Sequence, residues 1–148
     1  MTKRQHLTWI GAMKFVGILA LQEAFPNVEV TIDGRRVDLH NQGVLAALSY
    51  DYESAEFSIR WSLKGNPGVY PQTPTSVTLV VSGVRSVRCA GEIAGRAQPE
   101  RLGLDFLEYT AGPGDLGQLR FVLDNDAEVV VTGRQCRGGL LGATRAAG

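Results

Sequence analysis

The sequence is poor in the residues that most site chemistry needs. It holds two histidines and two cysteines in 148 residues. A structural zinc site wants four such ligands at close spacing, and two cysteines make no disulfide framework. Cys89 and Cys136 are therefore expected as free thiols, buried or half-buried, in a reducing compartment. No G-x-S-x-G nucleophile elbow occurs, and Ser82 in VVSGV lacks the first glycine. An excess of either charge is also missing, because fifteen basic residues balance fifteen acidic ones. A zero formal charge gives no general pull toward nucleic acid or an anionic membrane. The longest apolar stretch, Leu7 to Leu21, is interrupted by Lys14 and is too short for a membrane span.

What remains fits one soluble globular domain, with 44% apolar and 20% charged residues. The reading is a single unit over residues 1–135 and a flexible Gly/Ala-rich tail over 136–148. Near the N-terminus, Trp9, Met13, Val16 and Ala20 fall at helical spacing, with Ile10, Gly17 and Leu21 beside them. That spacing predicts an amphipathic helix over about residues 8–24, ended by Pro26. The alternative is a cleaved secretory signal over residues 1–24, although no A-x-A site follows the apolar run.

From residue 27 to about 134 the pattern alternates. In VEVTIDGRRVDL, Asp33-Gly34 is a type I′ hairpin signal, which sets Ile32 opposite Arg35 and Val30 opposite Val37. In VLAALSYDYESAEFSIRWSL, a turn at Ser54-Ala55 would pair Tyr52 with Phe57, Tyr50 with Ile59 and Leu48 with Trp61. A helix over 41–49 competes with that strand, because VLAALS has good helix propensity. Val77, Leu79 and Val81 alternate up to Gly83, where a bend or bulge is expected. LGLDFLEYT reads as a strand, and LRFVLDNDAEVVVTG as a closing hairpin. The predicted fold class is α+β and mostly β: an antiparallel sheet or sandwich of about seven or eight strands with one N-terminal helix.

The stretch GPGDLG, residues 112–117, matches G-x-G-x-x-G. A dinucleotide site needs that motif to follow a strand and open a helix. Here a strand follows it, and Pro113 removes a backbone donor, so a turn is expected. His40 is the one histidine placed to act as a base, with Asp38 two residues away, and no nucleophile stands beside them. Asp124 and Asp126 are too few oxygens for a calcium loop. No catalytic set, metal or cofactor is expected.

The order EAFPNVEV, VDLHNQGVLAAL, FSIRWSL, PTSVTLVVSGVRSVRCAGEI, LRFVLDNDAEVVVTG resembles the immunity proteins of bacterial polymorphic-toxin systems and their relatives. An apolar segment leads to P-x-[VL], an L-H strand opening and a hairpin follow, then V-x-L-x-x-x-G-V and a closing hairpin. The resemblance covers roughly residues 24–134 and brings no catalytic residues. It implies a cytoplasmic binder that blocks a toxin by occupying its surface, with secretion as the alternative if residues 1–24 are cleaved. The expected contact surface is Asp51, Glu53, Glu56 and Arg60 on the second hairpin, with Tyr70 on the Pro-rich loop. The expected partner is a protein, with a bacterial toxin as the class the resemblance implies, or a second copy joined through an edge strand; no nucleic acid or membrane is expected. Two other readings stay open: a small-molecule or lipid carrier with a pocket lined by Trp9, Phe57 and Trp61, and an enzyme centred on His40 and Asp38.

Overall fold

The computed structural model describes residues 12–23, 25–64, 74–93 and 102–142. Asp33 and Gly34 both take positive φ, as a type I′ turn requires. They join β2 (Glu29–Ile32) to β3 (Arg35–Asp38), with Ile32 opposite Arg35 and Val30 opposite Val37. A single helical turn, α1 (Leu39–Gln42), follows; Asp38 caps it by accepting from the Asn41 amide at 2.9 Å. VLAALS then continues as strand β4 (Gly43–Asp51), so tertiary pairing overrides its helix propensity. β5 (Glu56–Leu63) returns antiparallel to β4.

β6 (Pro74–Ser82) pairs with β5 and buries Val77, Leu79 and Val81. Gly83 has a φ of +63°, which lets the chain leave this sheet. β7 (Ser86–Ala90) belongs to a second sheet, with β8 (Leu104–Ala111), β9 (Gly117–Leu123) and β10 (Glu128–Gly133). Arg134 then carries the chain back to the first sheet as β11 (Gln135–Gly142).

The result is a five-stranded sheet in the order β1-β11-β6-β5-β4, where β1 is Lys14–Val16, a four-stranded antiparallel sheet in the order β7-β10-β9-β8, and the β2-β3 hairpin. One hydrophobic cluster draws on all three. Its centre is Trp61 of β5 against Phe121 of β9, with ring centroids 6.4 Å apart and both side chains fully buried. Arg120 of β9 bridges Glu108 of β8 and Glu128 of β10 at 2.8 Å each, which ties three strands together. GPGDLG is the turn between β8 and β9: Gly112 N donates to Leu116 O at 2.9 Å, and Gly114 has positive φ. A strand opens at Gly117, so no helix N-terminus faces a phosphate there.

Three expectations are corrected. Residues 12–23 carry no helix; Lys14–Val16 forms β1, parallel to β11. Gly17 at a φ of +69° breaks the helical path, and Val16 is exposed while Met13 is buried, so the helical stripe does not exist there. Residues 8–11, Trp9 among them, and residue 24 lie outside the described residues. The second correction is the supposed tail. Residues 135–142 form β11, an interior strand between β1 and β6, with Cys136 buried. The third is the strand count, which reaches eleven among the described residues. Among the described residues, the helix of the fold is the single turn α1.

Candidate functional site

The β4–β5 hairpin ends in a loop of four residues, Tyr52 to Ala55, rather than two. Asp51 is the cause: its Oδ1 accepts from Glu53 N at 2.9 Å and Ser54 N at 3.3 Å. This is the side-chain-to-backbone bonding by which aspartate builds turns. Ala55 closes the loop at a φ of 55°. The ladder therefore starts at Asp51 opposite Glu56, and Tyr50 faces Phe57 instead of Ile59. A register shift between Leu45 and Ala47 leaves Ala46 unpaired, so Leu45 rather than Leu48 stands opposite Trp61, and Leu48 stands opposite Ile59.

This geometry pushes Tyr52 off the ladder. Tyr52 is 88% exposed and Tyr50 36%, and their rings meet edge to face at 4.9 Å. Alternation alone places both at paired positions on the sheet. The missed signal was the aspartate at position 51, whose capping bonds lengthen the loop. Asp51 and Glu53 do lie at the tip as expected, and both are exposed. Glu56 instead is half-buried on the outer face of β5 and bonds within the fold, accepting from Arg137 Nη1 at 3.2 Å and Ser82 Oγ at 3.4 Å. Arg60 is exposed on β5, opposite Ala47. Tyr70 lies outside the described residues.

β4 is also the last strand of its sheet. Leu45 N donates to Leu102 O at 2.8 Å, but from Ala47 to Asp51 no described strand pairs with the outer edge. That stretch, ALSYD, has none of the lysine or proline that commonly blunts an edge. By contrast, the outer edge of β8 is covered: Asn27 and Leu107 exchange backbone hydrogen bonds of 2.7 Å, and Glu23 accepts from Ala111 N.

Asp38 and His40 do not form an acid–base pair. Asp38 spends both oxygens on Asn41, Oδ1 on its backbone amide and Oδ2 on its side-chain amide at 2.8 Å. Burial works to raise the Asp38 carboxyl, but these bonds, with the His40 amide and charge, outweigh it and hold the group below its ordinary value. The His40 ring turns the other way, and its Nδ1 donates to Leu104 O at 2.8 Å. There it meets Asp105 and Asp124; a ring nitrogen and one oxygen of each carboxylate lie within 4.8 Å of one another.

Phe57 and Trp61 are core, so neither lines a carrier pocket between sheet and helix. An open groove of about 320 Å³ lies instead beside β2, lined by Leu19, Leu21, Phe25, Pro26 and Val28 among others. Leu19 and Phe25 are 67% and 55% exposed there. Cys89, on the edge strand β7, is exposed rather than buried; Cys136 is buried as expected. Among the described residues, no helix is long and apolar enough to cross a membrane. Compared with models of protein families, with curated proteins and with solved structures, the chain finds no match.

Proposed function

We propose that this chain is a protein-binding domain that engages its partner through the tip and open edge of the β4–β5 hairpin. The observation that carries the reading is the Tyr50–Tyr52 pair, held out of the core beside a strand edge that no described strand pairs. Tyrosines supply large contact area with few rotors and are frequent hot spots. The Asp51 bonds hold the loop in shape before binding, which lowers the cost of ordering it in a complex. The edge of β4 adds backbone donors and acceptors, so an extended segment of the partner can join the sheet as a further strand. The resemblance to immunity proteins gives the partner a class, a toxin whose working surface the hairpin covers.

The test is co-purification from the native host with tagged wild-type chain and with the Tyr52→Ala and Tyr50→Ala/Tyr52→Ala variants. The reading expects one stoichiometric partner, toxic when expressed alone and neutralised by the wild-type chain. Loss of Tyr52 should weaken the complex at least about thirtyfold, the ratio that goes with a hot spot of about 2 kcal/mol. Absence of a stoichiometric partner, or full affinity in the double variant, sinks the reading.

A further inference from the structure

We propose that His40, Asp105 and Asp124 form a site for one divalent transition-metal ion of the zinc class. The three come from distant parts of the chain, and each is brought in by a distinct local device. His40 sits on α1, whose Leu39 is fully buried and anchors the turn. Asp105 occupies the irregularity in β8: Leu104 pairs with Leu123 and Phe106 with Val122, so Asp105 has no partner on β9. Bulges of this kind re-aim a side chain and are common beside functional sites. Asp124 opens the β9–β10 turn, where its Oδ2 accepts from Gly103 N at 3.2 Å while its own amide donates to Gly103 O at 3.0 Å. A Cβ at Gly103 would stand 2.6 Å from that Oδ2, so the approach of the carboxylate depends on glycine.

The chemistry of the set is specific. An imidazole with two carboxylates suits a borderline ion such as Zn²⁺ better than Ca²⁺, which takes six or more oxygens. The Nδ1–H bond to the Leu104 carbonyl fixes the ring and leaves the lone pair on Nε2. Neither aspartate forms an ion pair with lysine or arginine among the described residues, so no described cation neutralises the two carboxylates. Donors bound at about 2.1 Å stand no more than about 4.2 Å apart across a metal. The spread of 4.8 Å or less therefore needs only a small rotation of exposed side chains. Three protein ligands leave an open position for water. His40 leads into the five-stranded sheet, whereas Asp105 lies in β8 of the four-stranded one and Asp124 in the turn joining two of its strands. A bound ion would thus link the two sheets at this end.

The experiment is calorimetric titration of the full chain with Zn²⁺ alone, on a Cys89→Ser background that removes the exposed thiol, with Ca²⁺ in parallel. One Zn²⁺ per chain and a rise in Tm are expected, with neither from Ca²⁺ at the same concentration. His40→Ala and Asp105→Asn should each weaken Zn²⁺ binding at least about tenfold and abolish the Tm rise. Asp124→Asn should do the same; if loss of its bond to Gly103 unfolds the chain, the other two variants decide. No Zn²⁺ binding, or equal binding in His40→Ala and Asp105→Asn, overturns the proposal.

Discussion

Replacing Trp61 separates packing from hydrogen bonding at the centre of the molecule. Its side chain is fully buried on β5, opposite Leu45 and Val77, and its ring meets Phe121 of the other sheet. Trp61→Ala should therefore cost about 3–5 kcal/mol, the range for emptying a buried aromatic site. For a chain of this size that lowers Tm by roughly 6–20 °C. Trp61→Phe should behave differently. The indole Nε1–H meets no acceptor among the described residues. Burying an unsatisfied donor costs about 1–3 kcal/mol, so phenylalanine loses some contact area and sheds that penalty with it. The net cost should be only about 1–2 kcal/mol, small beside the alanine variant. Urea unfolding followed by circular dichroism, checked by scanning calorimetry, measures both. Equal costs for the two variants would mean that Nε1–H is hydrogen-bonded. A loss below about 1 kcal/mol for Trp61→Ala would mean that Trp61 does not hold the sheets together.

The corrected C-terminal strand gives a second expectation: deleting residues 135–148 removes β11 from between β1 and β6. The truncated chain should show no cooperative unfolding transition, and a sharp transition would refute the placement of β11. Burial pushes the Cys136 thiol up to about 12, whereas Cys89 is exposed. A thiol reagent should modify one cysteine in the native chain and the second only in denaturant. Because the folded value lies above the ordinary 9.0, this group's stabilisation is complete below that pH and is lost as pH rises toward 12; flat stability across that window would contradict the burial. At Gly133, an added Cβ would lie 2.5 Å from Val81 Cγ1 and 2.9 Å from Ser82 O, where β10 nears β6. Gly133→Ala should cost about 1–3 kcal/mol by overpacking. Gly139→Ala meets nothing within 4 Å and should stay within about 0.5 kcal/mol; equal effects in denaturant melts would refute that comparison.

Local signals in the sequence were read correctly wherever turn chemistry and alternation agreed. Asp33-Gly34 fixes the register of β2 and β3, and the Val77-Leu79-Val81 phase survives intact in β6. Gly83 marks a real bend, and what alternation does not show is that the chain changes sheets there. The errors came from non-local contacts. Residues 135–142 look unstructured because Gly138 and Gly139 interrupt any apolar pattern. Gly138 is small because Ile18 and Ile32 pack on it, with Ile32 Cγ1 3.0 Å from where a Cβ would be. Lys14–Val16 needs β11 as its neighbour, so its strand was invisible while that region was read as a tail. The tyrosines were misplaced by two residues of register, which Asp51 sets through its side chain. His40 was singled out with Asp38, its neighbour in sequence. Its carboxylate neighbours in space are Asp105, displaced by a bulge, and Asp124, which depends on a glycine at 103. Neither condition leaves a periodic trace.

The proposed function rests on the β4–β5 hairpin as the binding surface. Amide hydrogen exchange of the chain, free and in complex with its co-purified partner, tests it most directly. Slowed exchange concentrated at residues 47–54 on binding, with little change along β7 at the far edge, is the expected result. Protection confined to the groove beside β2 or to β7, with the hairpin exchanging as it does in the free chain, would contradict it.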